Sequence, residues 1–232
     1  MLSPGRDAAW DCATGNGQAA RLLAKHFGHV LATDASREQL ARAVPDARVV
    51  YREALADDSG AAAASLDLIT VAQALHWFDL DRFYREARRV LKSNGILAVW
   101  CYGAARVSPA IDRVLDWFYN ERVGRHWPEE RRHVEAGYRD LPFPFEEIDI
   151  GAWSMTAALD RRALIGYVGT WSAVGRARAA ERKDPLADLT AALASPWPDA
   201  AQEETRTVTW PLSIRVGRRT GGDPAGGPPP AD

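Results

Sequence analysis

Cysteine is scarce in this chain, whose 232 residues include only Cys12 and Cys101. Two cysteines can build neither a disulfide framework nor a four-ligand structural zinc site. Each lies near the end of an apolar, strand-like run, so we interpret both as small buried side chains. A reducing, cytoplasmic setting is the expectation that follows, and no metal site is predicted.

Long apolar runs and an excess of one charge are also missing. No run reaches the ~18 uninterrupted apolar residues of a membrane-spanning helix, and the segment before Asp11 has no signal-peptide core. The net charge is −2, with no long basic run, which argues against a nucleic-acid partner. We therefore expect a small-molecule ligand and neither a membrane nor a nucleic-acid partner.

Apolar strands and helices alternate through the first half of the chain, as in "AAWDC", "HVLAT" and "LDLITVA". Strands that are apolar on both faces and alternate with helices indicate a parallel sheet covered on both sides. Hydrophobic residues make up 47% of the chain, which is enough for such a core. The prediction is an α/β, doubly wound, Rossmann-like and mostly parallel sheet with helices on both faces. In the second half, residues 146–155 and 208–216 are predicted as single strands.

A glycine turn follows the first predicted strand. The run Gly15-Asn16-Gly17-Gln18-Ala19-Ala20 fits the dinucleotide fingerprint G-x-G-x-x-G/A. Asp34 lies 19 positions after Gly15, close to the spacing of a ribose-binding acid. Both follow parallel strands, so both are expected in one crevice at the carboxyl edge of the sheet. The pattern alone leaves a nicotinamide or flavin ligand open.

Other residues in the same region weaken the dinucleotide interpretation. Asp11 would repel a pyrophosphate at the turn by about 1 kcal/mol, and it favours a ligand with a cationic part. Gln73, His76 and Trp77 place a polar and aromatic group after the fourth predicted strand, which a plain nucleotide domain does not need. Nothing downstream resembles a hydride-transfer site.

The run "DCATGNG" at residues 11–17 resembles motif I, D-x-G-x-G-x-G, of class I S-adenosylmethionine-dependent methyltransferases. The stretch "ALADDSGAAAASLDLITVAQALHWFDLDRFYREARRVLKSNGILAVW" resembles the later motifs of the type 11 group. It is especially similar to the small-molecule branch related to trans-aconitate methyltransferases. The resemblance spans at least Ala8 to Trp100. It implies a seven-stranded sheet with an antiparallel last strand, and methyl transfer from S-adenosylmethionine to a small molecule, for which the branch suggests a carboxylate.

The resemblance also implies the residues that bind the cofactor. The glycine-turn backbone would lie against the methionine part, and Asp11 would favour its ammonium group. Asp34 would accept from both ribose hydroxyls, and Ala56 and Asp57 would contact adenine, although Glu53 or Asp58 could replace Asp57. The predicted cofactor-binding set is Asp11, Ala13, Gly15, Asn16, Gly17, Asp34, Ala35, Ala56, Asp57 and Gln73.

Residues for the acceptor are less specific. His76 is a candidate general base near neutral pH, with a structural strand-end histidine as the alternative. Trp77 and Phe78 are interpreted as pocket wall or core. For the acceptor pocket the candidates, each with ordinary packing or a solvated surface as its alternative, are Trp127, Trp153, Trp171, Arg131, Arg132, Arg176 and Arg178.

Two departures from the family pattern carry expectations of their own. Ala13 replaces the first glycine of motif I, which a methyl group tolerates if φ is negative there. Met1 lies only ten residues before Asp11, so a lid present in relatives is expected to be missing, as in a fragment, a chain with a misplaced start, or a domain with an open cofactor pocket. A cofactor-binding but inactive domain is therefore an alternative function, and a nucleotide-dependent oxidoreductase is a further one.

The predicted domain organisation is simple. Residues 1–219 are expected to form one domain, and the irregular segment 103–145 a cap over its active-site end. Residues 220–232, "TGGDPAGGPPPAD", lack apolar anchors and are predicted to be a disordered tail.

Overall fold

The computed structural model describes residues 2–198 and 203–220, and the chain divides into two compact units. Unit 1 comprises Met1–Cys101, Ala136–Gly151 and Ser213–Asp232, and unit 2 comprises Tyr102–Glu135 and Ala152–Leu212. The predicted cap, residues 103–145, therefore contributes to both units, and its place over the active-site end stays a prediction. The predicted tail lies outside the described residues except for Thr220.

Unit 1 is built on a sheet with helices in its connections. Its strands are β1 (Ala8–Cys12), β2 (His29–Asp34), β3 (Val49–Glu53), β4 (Leu66–Ala72), β5 (Leu91–Tyr102), β6 (Glu146–Ile148) and the second part of β8 (Arg206–Arg218). Its helices are α1 (Gln18–Leu23), α2 (Arg37–Leu40), α3 (Leu80–Val90) and a 3₁₀ turn at Leu75–Trp77. The strand order is β3-β2-β1-β4-β5-β8-β6.

The first five strands are parallel, which confirms the predicted α/β class. β1 lies between β2 and β4, with Ala9 opposite Val30 on one side and Leu68 on the other. The chain thus runs outward to β3 in one direction and to β5 in the other. Ligands bind at the carboxyl edge of a parallel sheet where its connections change direction, so this topology places a crevice after β1 and β4.

The sheet has eight strands, and the predicted count of seven was wrong by one. The single strand expected over residues 146–155 is two strands, β6 and β7 (Trp153–Leu159). Gly151 has a φ of 72°, a left-handed conformation that interrupts extended structure. Both strands pair antiparallel with β8, β6 through Ile148 opposite Val216 and β7 through Met155 opposite Trp210.

Helix α3 follows directly from its sequence. The Asp79 side chain accepts from the Arg82 backbone N–H at 3.1 Å and so caps a helix that would otherwise begin with unsatisfied donors. Phe83, Ala87 and Val90 are buried, and their i, i+4, i+7 spacing puts them on one face. Each large apolar side chain buried this way stabilises the fold by roughly 1.5–3 kcal/mol.

Unit 2 is mainly helical and has a core of its own. Its helices are α4 (Pro109–Trp117), α5 (Arg131–Glu135), α6 (Arg161–Gly169), α7 (Ser172–Glu181) and α8 (Leu186–Leu193), with β7 and the first part of β8. Helices α6 and α7 follow one another directly and separate at Thr170 and Trp171. The largest fully buried core residues include Ile111, Phe118, Leu164, Leu189 and Trp197.

Candidate cofactor site

A cavity of about 710 Å³ lies at the carboxyl edge of the unit 1 sheet. Seven of the ten predicted cofactor-binding residues line it: Ala13, Gly15, Asp34, Ala35, Ala56, Asp57 and Gln73. They come from the ends of β1, β2 and β4 and from the loop after β3. The volume lies within the range of ordinary small-molecule pockets, so the structure brings most of the predicted set to one ligand-sized space.

Asp34 is fixed at the end of β2 by two backbone donors. The Gly15 N–H donates to its Oδ2 at 2.8 Å, and the Ser36 N–H donates to its Oδ1 at 2.8 Å. An ionised carboxylate offers about four acceptor positions. The two bonds therefore hold the carboxylate in place at the cavity and leave acceptor capacity for hydroxyl donors of a ligand.

The two glycines of the turn serve different purposes. Gly15 and Gly17 both have positive φ, at 58° and 84°. A methyl group added to Gly15 would meet no protein atom within 4 Å, whereas one added to Gly17 would collide with the Tyr51 hydroxyl. Gly17 is thus required by the fold, while Gly15 keeps its face open toward the cavity.

Three predicted residues do not line the cavity: Asp11, Asn16 and Gly17. Asn16 is exposed. Asp11 is 1% exposed and accepts from the Thr14 hydroxyl at 2.5 Å and the Thr70 hydroxyl at 2.7 Å. Burial raises the pKa of Asp11. These bonds tie the glycine turn to β4, and the predicted contact of Asp11 with an ammonium group stays a prediction.

Strained backbone marks the cavity wall. Ala13 and Gln73 both have a φ of 56°, a left-handed conformation that costs a residue with a Cβ about 1–2 kcal/mol. The condition under which a methyl group would be tolerated at position 13, a negative φ, is therefore not met. The Gln73 N–H donates to the Trp100 carbonyl at 2.8 Å, which holds that residue in place. Such strain is common at ligand sites, where the surroundings impose it.

The loop after β3 carries the predicted adenine contacts and is anchored to α3. The Asp57 carboxylate pairs with the Arg82 guanidinium at 2.9 Å, and both residues line the cavity. Sequence reasoning missed Arg82, although the Asp79 cap places it in the first turn of a helix that begins at the same edge of the sheet. Ser36, Gln39 and Asp79 also line the cavity and were missed.

Comparisons with known proteins point in one direction. Residues 10–99 match the family model of a methyltransferase domain. A Dictyostelium discoideum protein provisionally named a methyltransferase is 35% identical over 187 residues, which cover 79% of this chain and 71% of that protein. A solved structure from Anaeromyxobacter dehalogenans, provisionally described as a type II methyltransferase, is 44% identical. It has a TM-score of 0.86 and covers 94% of this chain and 92% of that one.

The chain belongs to the class I S-adenosylmethionine-dependent methyltransferases. A methyltransferase of Aspergillus terreus is also 30% identical over 138 residues, although the match spans only 41% of that protein and 52% of this chain. Family membership decides against the nucleotide-dependent oxidoreductase. The narrower likeness to the branch related to trans-aconitate methyltransferases stays a prediction.

In this methyltransferase, the candidate base His76 lies outside the set that lines the cavity. It belongs to the 3₁₀ turn after β4, and its Nδ1 lies 2.9 Å from the Tyr138 hydroxyl. Tyr138 is fully buried and has a φ of 61°. Sequence reasoning missed Tyr138, because 62 residues separate it from His76 and no local pattern links the two. Trp77 and Phe78, in contrast, line the cavity.

The residues predicted to bind the methyl acceptor differ in exposure and in their partners. Trp127 and Trp171 have ring centroids 5.7 Å apart, whereas Trp153 is 58% exposed on β7. Arg178 pairs with Asp184 at 3.0 Å. Arg132 and Arg176 are exposed, and Arg131 is half-buried.

Membrane-spanning helices and clustered metal ligands are both absent from the described residues. Within 2–198 and 203–220, no helix is long and apolar enough to cross a membrane. Over the same ranges, no group of three or more His, Cys, Asp or Glu side chains is arranged to hold a metal ion.

Proposed function

We propose that this methyltransferase binds S-adenosylmethionine in the unit 1 cavity and methylates a small molecule, with a carboxylate as the acceptor group. The fixed Asp34 carboxylate beside the open face of Gly15 is the observation that carries the proposal. A nucleoside needs a hydroxyl acceptor and close backbone approach in one place, and these two residues supply both.

The residues of the cavity would bind and orient the cofactor. Asp34 would accept from the ribose hydroxyls, and the Gly15 backbone would lie against the methionine part. Ala56 and Asp57 would contact the adenine, with Arg82 holding the Asp57 carboxylate in place. When bound, the cofactor supplies a methyl group on a positively charged sulfur. Rate enhancement would then come mainly from holding the acceptor in line with it.

His76 has a role only for some acceptors. A carboxylate is already anionic near neutral pH and needs no base, whereas a hydroxyl acceptor must lose a proton. Tyr138 would fix the orientation of the His76 ring through Nδ1. The two proposals therefore compete: a carboxylate acceptor predicts that His76 is dispensable, and a hydroxyl acceptor predicts that it is required.

Calorimetric titration with S-adenosylmethionine tests the cofactor site. Asp34→Asn should weaken binding at least about 10-fold, because a hydrogen bond to a charged group contributes roughly 1.5–3 kcal/mol. Asp81→Asn, at an exposed carboxylate in the first turn of α3, should leave affinity unchanged. An unchanged Asp34→Asn affinity would contradict the site. Binding without turnover across a broad acceptor panel would favour the inactive-domain alternative.

A further inference from the structure

An unusual cation lies in unit 2. The guanidinium of Arg131 lies over the Trp127 ring, 4.7 Å from its centroid, and 5.4 Å from the centroid of Tyr119. Its Nε donates to the Tyr119 hydroxyl at 2.8 Å. Within residues 2–198 and 203–220, no carboxylate forms an ion pair with it. The terminal nitrogens of a half-buried, oriented guanidinium are thus left to bind a ligand.

Aromatic rings continue away from Arg131 in an unbroken series. We call Tyr119, Trp127, Trp171, Tyr167 and Trp210 the aromatic cluster. Its successive centroids are 4.7, 5.7, 6.1 and 5.2 Å apart. All but Trp210 are only half-buried, so ring surface remains for a flat apolar group.

The far end of the aromatic cluster is buried. Trp210 is 7% exposed and belongs to the core of unit 2, and its ring packs edge-on against Tyr167 with centroids 5.2 Å apart. A ligand would therefore lie at the half-buried end of the cluster, beside Arg131.

The charges around Arg131 favour an anion. Burial raises the pKa of Tyr119 to about 12 and also raises the pKa values of Tyr102 and Tyr167, so these phenols remain neutral near pH 7. The Glu135 carboxylate accepts from the Tyr119 hydroxyl at 2.6 Å. The same hydroxyl accepts from the Arg131 Nε, so Glu135 bonds to Tyr119 and forms no ion pair with Arg131.

We infer that Arg131 and the aromatic cluster form a binding site for an aromatic monocarboxylate. One unpaired cation matches one negative charge, a guanidinium edge matches the two oxygens of a carboxylate, and the rings match a flat apolar body. Assigning this ligand as the methyl acceptor rests on the proposed function, but the binding site does not.

Calorimetry with benzoate and neutral benzamide, on the full chain without cofactor, tests the site. Benzoate should bind at least about 10-fold more tightly than benzamide. Arg131→Gln should abolish that preference, Arg131→Lys should keep part of it, and Arg132→Gln, at the exposed neighbour, should keep all of it. Benzoate should also quench tryptophan fluorescence, because Trp127 and Trp171 line the site.

Equal affinity for the two probes would overturn the anion site, as would a benzoate preference that survives in Arg131→Gln. Failure of both probes to bind a chain that still binds S-adenosylmethionine would overturn this inference and leave the proposed function standing. Benzoate binding by a chain that does not bind S-adenosylmethionine would overturn the proposed function and leave this inference standing.

Discussion

Single residues at the cavity are held in conformations or bonds that their sequence neighbours do not require. Ala13 and Gln73 have positive φ without being glycine, and Asp34 has both oxygens fixed by backbone donors. The positive φ values cost conformational free energy, and the two hydrogen bonds restrict the Asp34 side chain. At this scale the site can be tested by changes that alter one conformation or one hydrogen bond.

Ala13→Gly should stabilise the protein. Glycine removes the Cβ penalty of about 1–2 kcal/mol at positive φ, and its greater unfolded-state entropy offsets part of the gain, so the net should be about +0.5–1 kcal/mol. Urea unfolding at constant pH measures the change. The control is Ala19→Gly within α1, which should destabilise by about 0.5–1 kcal/mol. A loss of stability in Ala13→Gly would refute the strain argument.

Tyr138→Phe tests whether Tyr138 positions a working His76. With a hydroxyl acceptor, kcat should fall about 10-fold while the affinity for S-adenosylmethionine stays constant, because the Nδ1 bond is lost and the cavity is untouched. His76→Gln should lower kcat by a similar factor or more. Unchanged turnover in both variants would make His76 structural and would favour an acceptor that needs no base.

At the scale of elements, buried or half-buried charges tie loops and helices to their neighbours. Glu86 on α3 accepts from the Ser59 N–H and hydroxyl at 3.0 and 2.5 Å and pairs with Arg89. In unit 2, Glu181 on α7 pairs with Arg122, Arg125 and His126. The first network ties the loop after β3 to α3, and the second ties residues 122–126 to α7.

Glu86→Gln should loosen the loop that carries Ala56 and Asp57. Burial by itself raises the pKa of Glu86, but the bonds from Arg89 and Ser59 outweigh it, and the pKa lies below its ordinary value. Replacing these charged hydrogen bonds should cost about 1–3 kcal/mol of unfolding free energy and weaken cofactor binding. Urea unfolding and calorimetry measure both effects. The control is Glu38→Gln, which removes an exposed ion pair with Arg42. It should change neither the free energy of unfolding nor the affinity for the cofactor.

Acid should destabilise the protein through Glu181. Hydrogen bonds from Arg122, Arg125 and His126 lower its pKa to about 2 from an ordinary 4.5. A lowered folded-state pKa contributes stability that is present above about pH 4.5 and is lost as the pH falls toward 2. The melting temperature of the wild type should therefore fall more steeply between pH 5 and 2 than that of Glu181→Gln. Parallel slopes would contradict the assignment.

For the whole molecule, the cavity links cofactor binding to stability. A ligand that binds only the folded chain stabilises it by about 2.7 kcal/mol at 100 times its Kd. For a domain of this size each kcal/mol corresponds to about 2–4 °C in Tm. S-adenosylmethionine at that excess should thus raise Tm by roughly 5–11 °C in the wild type, and by less in Asp34→Asn at the same concentration. NADH should produce no shift.

Much of unit 1 could be predicted, because its signals are local. The turn at residues 15–17, the acid at Asp34 and the apolar strands each depend on neighbours in the chain, and parallel strands must end at one edge. The single strand expected over residues 146–155 was wrong, since only the left-handed Gly151 reveals the break. The partners Arg82 and Tyr138 were missed because their contacts join distant segments.

The sequence by itself determined the class of fold, the family and most of the residues that gather at the cavity, since backbone geometry and apolar periodicity are encoded residue by residue. Only the tertiary structure decided that Asp11 is buried beneath the turn, that Ala13 is strained, and that Arg131, unlike Arg178, has no carboxylate partner among the described residues. Such facts depend on which distant side chains fill the space around a group. That packing sets burial and hydrogen-bond partners, which no local pattern specifies.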